Sequence, residues 1–138
     1  IERCQIFRAD AGDADELMAV AASIDGGFDI VIDDGSHASD DQQTSLGSLF
    51  PFVAPGGLYI IEDLFFQPAH REKPATLRTV DLLRRAEVTG AFDSPHWPKE
   101  TCAYLSTNVE RVALFDSLSS DGSLAARDAL GIIWKKSA

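Results

Sequence analysis

Two acidic pairs, Asp33-Asp34 and Glu62-Asp63, each close a short apolar run, and His37 follows the first pair by three residues. In open parallel α/β sheets ligands gather at the carboxyl ends of the strands, and neighbouring strands lie about 4.8 Å apart. Asp34 can therefore approach Glu62 or Asp63 if their strands pair, and Asp10, closing another candidate strand, falls at the same edge. Carboxylates gathered in this way repel one another and are driven toward protonation unless a cation neutralises them. Oxygen-only ligands favour Mg²⁺, Mn²⁺ or Ca²⁺ over zinc, and three carboxylates leave octahedral positions free for water or substrate oxygens. His37, with an ordinary imidazole pKa of about 6.5, is the natural general base beside such a site.

Each of these residues also has a plainer role open to it. Asp33-Asp34-Gly35-Ser36 fits a turn whose carboxylates cap the following helix. Glu62-Asp63 fits any strand end that meets solvent, and His37, His70 and His96 each fit a solvated loop. Two acidic pairs on successive parallel strands favour the site.

Placing both pairs at one edge requires alternating strands and helices. Residues 2–9 read as a short strand ending in Asp10. Asp13 and Glu16 then suit a helix start of capping-box type, with Leu17, Val20, Ala21 and Ile24 on one face and Gly26-Gly27 at its end. Phe28 to Ile32 is a nearly continuous apolar run, the pattern of a strand covered on both faces. From Asp40 a second helix carries acids in its first turn and Leu46, Leu49, Phe50 and Val53 on one face, until Pro55-Gly56-Gly57 breaks it. Leu58 to Ile61 is the next strand. Residues 64–75 form a polar loop that begins with Phe65 and Phe66 and is a candidate substrate lid. A helix from Thr76 to about Glu87 and an irregular stretch at 90–98 follow. Val109–Phe115 and Leu130–Trp134 read as a terminal antiparallel hairpin joined by the Ser/Gly/Asp-rich segment 117–128. Strand–helix–strand repetition implies right-handed parallel crossovers and a layered α/β fold.

Composition narrows the class. The 138 residues, 45% hydrophobic and 25% charged, suffice for one domain with a real core. No apolar stretch is long enough to span a bilayer, and no secretory signal opens the chain, so a cytoplasmic location is expected. A chain that starts on Ile1 instead of Met is expected to be a piece of a longer protein. Cys4 and Cys102 stand in no metal or redox spacing and read as reduced thiols. With 22 acidic and 12 basic residues the net charge is −10, which disfavours nucleic acid and anionic membranes as partners.

Phe28-Asp-Ile-Val-Ile-Asp-Asp-Gly-Ser-His37, the helix end Leu49-Phe-Pro-Phe-Val-Ala-Pro-Gly-Gly57 and Leu58-Tyr-Ile-Ile-Glu-Asp-Leu64 together resemble the metal-dependent sugar O-methyltransferases of macrolide biosynthesis, the mycinamicin and demethylmacrocin type. The cephalosporin-hydroxylase-like proteins are similar. The resemblance is strong over residues 28–64 and weaker elsewhere, where Ala9-Asp10-Ala11 stands in place of the family's Gly-Asp-Gln. It implies a Rossmann-like class I S-adenosylmethionine (SAM) methyltransferase fold, with residues 1–138 forming one partial domain from its C-terminal part and the N-terminal strands missing. The implied metal ligands are Asp34, Glu62 and Asp63, the catalytic base is His37, and Asp10 contacts the adenosine side of the cofactor. SAM and Mg²⁺ or another divalent cation are the implied cofactors. The implied substrate is a sugar or glycoside hydroxyl, and a homo-oligomer is compatible with all of this.

The family's Gly-rich turn and ribose-binding acid would lie upstream of residues 2–9, so the metal and base half of the active site is expected here without the cofactor half. The alternative within the same fold is a non-catalytic metal-binding or assembly module. A phosphoacceptor domain shares an Asp pair at a strand end, but the absence of a Lys at a later strand end and the presence of Glu62-Asp63 argue against it.

Overall fold

The computed structural model describes residues 4–116 and 129–138. Its elements are α1 (Ala14–Ala22), β1 (Phe28–Asp33), α2 (Ser39–Leu49), a 3-10 turn (Phe50–Phe52), β2 (Val53–Ile61), α3 (Thr79–Thr89), α4 (Lys99–Asn108), β3 (Val109–Phe115) and β4 (Leu130–Lys135). The four strands form one mixed sheet in the order β1-β2-β4-β3. β1 and β2 run parallel, with α2 as their crossover, and β4 is antiparallel to both β2 and β3. The expected terminal hairpin pairing is thus present; its connecting segment, 117–128, lies outside the described residues.

Alternation decides which sheet face carries the core. Tyr59 and Ile61 of β2 and Ile133 of β4 are fully buried and join Leu46, Phe50, Leu82, Leu83 and Leu105 from the helices and the 3-10 turn in one hydrophobic cluster. On the other face Ile30 and Ile32 of β1 are 55% and 59% exposed. The apolar run of β1 therefore does not report burial on both faces, as its sequence suggested. Val31 packs on the core and its neighbours face outward.

Three other expectations are corrected. Residues 4–9 form no strand, and Ile6 is 92% exposed; β-structure needs a hydrogen-bonded neighbour, and apolar sequence alone supplies none. Val53 is not the last residue of the second helix but the first of β2, because the chain tightens into a 3-10 turn at Phe50-Pro51-Phe52. Residues 99–108, given no element by the sequence, are helical; α4 buries only Leu105 and has no side-chain N-cap, so it carries little amphipathic or capping signal.

Two capping devices fix the frame. Asp13 caps α1 by accepting from the N–H groups of Asp15 and Glu16, while Glu16 turns back to the N–H of Asp10 at 2.9 Å. At the other end of the fold, the buried Lys135 donates to the carbonyls of Phe50, Pro51 and Val53, closing the negative end of α2 and its 3-10 extension.

Candidate metal and catalytic site

β1 and β2 end level with one another. Asp33 pairs with Ile61, and the N–H of Glu62 donates to the Asp33 carbonyl at 3.0 Å. Asp34 and Glu62 thus leave the sheet on neighbouring strands, at the edge where the sequence put them. Asp34, His37 and Asp63 each present a ligand atom, and these atoms lie within 4.8 Å of one another. Of the expected ligand set, Asp34 and Asp63 stand in this trio and Glu62 does not. His37, expected as the base, stands in it.

The backbone is bent to make the cluster. His37 (φ 61°) and Asp63 (φ 52°) are the non-glycine residues with left-handed φ among those described. Such conformations persist where surrounding structure fixes them, and they concentrate at functional sites. His37 directs Nε2 at Asp63 Oδ2, 3.6 Å away, and the edge-on ring of Phe66 lies 5.7 Å from its imidazole. The other ring nitrogen, Nδ1, is buried without a hydrogen-bond partner. Among the described residues no Lys or Arg pairs with Asp34 or Asp63. Two carboxylates and an imidazole gathered without a basic counter-charge fit a divalent cation.

The two acids of the first pair separate in role. Asp34 is exposed in the trio, whereas Asp33 turns toward Tyr59, whose hydroxyl donates to it at 3.4 Å. Burial raises the Asp33 carboxyl from 3.8 to about 6, against the opposing effects of the Gly35 N–H and the Tyr59 hydroxyl. Both acids line an open pocket of about 310 Å³, together with Tyr59, Val31 and Leu49.

Asp10 lies on an open cleft of about 830 Å³ that it shares with Arg8, Ser36 and Arg71. One of its carboxylate oxygens accepts the Gly12 N–H at 2.9 Å, so part of its task is to shape the turn into α1. His70 is exposed. His96 is further from a simple loop residue than expected, since its Nε2 sits 2.8 Å from the Thr44 hydroxyl. Cys4 and Cys102 are both free thiols.

The sequence reading missed Ser36, Asp41 and Arg71. Asp41 Oδ2 accepts from the Ser36 hydroxyl and from Arg71 Nη2, the latter at 2.6 Å. Next to it Lys73 pairs with Asp40, and Glu72 accepts the Ser39 N–H at 2.8 Å. The signal in the sequence is an Arg-Glu-Lys triplet and a Ser-Asp-Asp helix start of complementary charge, but acids in a first turn equally suit the helix dipole, which hides the pairing.

No family model matches the chain. Among characterised proteins it is 49% identical over 63 residues to mycinamicin VI 2''-O-methyltransferase of Micromonospora griseorubida, which covers 46% of this chain and 16% of that protein. It is 40% identical over 103 residues to 8-demethyl-8-alpha-L-rhamnosyl tetracenomycin-C 2'-O-methyltransferase of Streptomyces olivaceus, covering 67% of this chain and 27% of the relative. In three dimensions it resembles the MycE methyltransferase of the mycinamycin biosynthetic pathway, solved in complex with Mg, SAH and mycinamycin VI. The TM-score is 0.69 at 27% identity, over 99% of this chain and 33% of that one. The chain thus spans a third or less of these proteins. By sequence and by fold the chain is similar, over the part it spans, to the macrolide and tetracenomycin sugar O-methyltransferases.

Proposed function

We propose that the intact protein is a SAM-dependent, divalent-metal-assisted O-methyltransferase acting on a hydroxyl of a sugar or glycosylated small molecule, and that residues 1–138 are one partial domain of it. The observation that carries this reading is the convergence of Asp34, His37 and Asp63 at the adjacent ends of β1 and β2, in a chain similar to these methyltransferases. Asp34, Glu62 and Asp63 would hold the ion, His37 would act as base, and Asp10 would contact the adenosine side of the cofactor. When bound, the ion supplies positive charge that eases deprotonation of a sugar hydroxyl, and SAM supplies an electrophilic methyl group.

The chain's own residues do the rest. The level strand ends orient the carboxylates, and Asp63 faces the imidazole of His37 at 3.6 Å, which holds the ring at the metal edge where it would take the hydroxyl proton. Phe66 shields one side of that ring. No helix among the described residues is long and apolar enough to cross a membrane. A small-molecule acceptor, a cytoplasmic location, no nucleic-acid partner at a net charge of −10 and a possible homo-oligomeric assembly complete the reading.

The geometry of the trio favours a second assignment, in which His37 takes Glu62's place as a ligand. Calorimetric Mn²⁺ titration and methyl transfer by the intact protein separate the two. With His37 as base, H37Q keeps its Mn²⁺ affinity and loses about 10²–10⁴-fold in turnover, while E62Q and D34N lose affinity. Loss of Mn²⁺ binding in H37Q with retention in E62Q makes His37 a ligand. Full activity in both H37A and D34A sinks the proposal, and metal binding without SAM binding favours the non-catalytic module.

A further inference from the structure

The loop that carries Asp34 and His37 is five residues long, from Asp34 to Ala38, and His37 takes a left-handed backbone. What holds it comes from the far side of α2. Ser36, between Asp34 and His37, donates its hydroxyl to Asp41 in the first turn of α2 and also accepts the Ala38 N–H at 3.3 Å. Asp41 is nearly buried, with 11% of its side chain exposed, and its Oδ2 is held from the other side by Arg71. The same first turn reaches the end of β2, where the buried Gln42 amide donates to the Glu62 carbonyl at 3.3 Å. Arg71 is in turn fixed by its neighbours, because Glu72 and Lys73 bind Ser39 and Asp40 of that turn.

Segment 71–73 straps onto the helix start that braces the site from both strands. We infer that Arg71, acting through Asp41 and Ser36, is a positioning residue that sets the Asp34–His37 loop for metal binding and proton transfer. The inference rests on the methyltransferase reading for its second half only, since the contacts that hold the loop are all made by this chain's own residues. Arg71 also lines the cleft that carries Asp10, so the strap joins the metal edge to the cofactor edge.

Direct charge–charge help from Arg71 to the ion is not the point: it would repel a cation, and its removal would strengthen binding. Positioning predicts the opposite sign. In the intact protein, R71Q, S36A and the double variant are compared with wild type by Mn²⁺ calorimetry, by methyl-transfer kinetics and by the imidazole NMR signals of His37 in metal-free protein, assigned with H37Q. Removing a partner that orients ligands typically weakens metal binding by about ten-fold or more. Each single variant is expected to weaken Mn²⁺ by about that factor, to lower kcat more than it raises KM, and to shift the His37 signals. The double variant is expected to be little worse than either single one, because both break one chain of contacts.

Wild-type Mn²⁺ affinity and His37 signals retained in R71Q and S36A overturn the inference, as does tighter binding in R71Q. So does a loss that simply follows a fall in thermal stability. An intact wild-type protein that fails to transfer a methyl group while the variants still shift Mn²⁺ binding and the His37 signals overturns the functional reading and leaves the positioning role standing.

Discussion

Lys135 offers a stability test that is independent of ligands. It is 9% exposed, and its ammonium donates to the carbonyls of Phe50, Pro51 and Val53 at 3.2, 2.9 and 2.7 Å, with the Phe50 and Tyr104 rings near it. Replacement by Met keeps the stem and deletes the donors. The Phe50 carbonyl still accepts the Val53 N–H, so it keeps a partner. The carbonyls of Pro51 and Val53 lose their charged donor, at about 1–3 kcal/mol for each group left unsatisfied. The desolvation spared by removing the buried ammonium is offset by the loss of its own three bonds, so the two carbonyls left without a donor set the outcome. The expected net loss for K135M is about 2–6 kcal/mol. Neighbouring Lys136 provides the control: it makes one comparable bond, to the Thr107 carbonyl at 2.6 Å, but on the surface, so K136M should lose less than about 1 kcal/mol. Urea unfolding of the two variants, read as midpoint and slope, measures the difference. Equal losses in K135M and K136M would refute the idea that burial of the helix-end carbonyls is what makes Lys135 matter.

Other outcomes follow from the same structure. In chelator-treated protein Asp33, with a folded pKa raised to about 6 against 3.8 when unfolded, stabilises the fold below 3.8, and that contribution is lost as pH rises through 6. The full span is roughly 3 kcal/mol, of which about 1.4 separates about pH 5 from about pH 7.5, so the stability gap between wild type and D33N should change by that much; identical pH slopes would exclude Asp33 as the linked group. Gly27 combines φ +73° with a would-be Cβ only 2.4 Å from the Phe52 carbonyl oxygen, so G27A should destabilise by at least about 2 kcal/mol in the same unfolding assay. Saturating Mg²⁺ at about a hundred times its Kd should raise wild-type stability by about 2.7 kcal/mol and leave D34N unmoved, as thermal melts with and without the ion will read.

The sequence by itself determined the parts that depend on local pattern. The apolar runs closing in Asp33-Asp34 and Glu62-Asp63 became β1 and β2, Asp13 became the cap of α1, and the last two apolar runs became β3 and β4. It also put Asp34, His37 and Asp63 at one edge, because parallel strands joined by a helix must end on the same side. Tertiary structure decided what depends on partners distant in the chain. Residues 4–9 have strand-like composition and no strand, since pairing is a property of two segments and never of one. Helix α2, Ser-Asp-Asp-Gln-Gln-Thr-Ser-Leu-Gly-Ser-Leu, reads as a solvated helix with a narrow apolar stripe, yet Asp40, Asp41, Gln42, Gln43 and Ser45 are buried. Buried polar groups need partners, and those of Gln43 come from elsewhere: its amide donates to the Leu77 carbonyl, its Oε1 accepts from the Ser94 hydroxyl, and Trp97 donates to its carbonyl. Arg71 lies thirty residues from Asp41, and no periodicity links them. Local sequence could therefore fix which residues reach the site's edge, while the strap that holds them had to wait for the fold, because its bonds join segments whose encounter only the packed chain brings about.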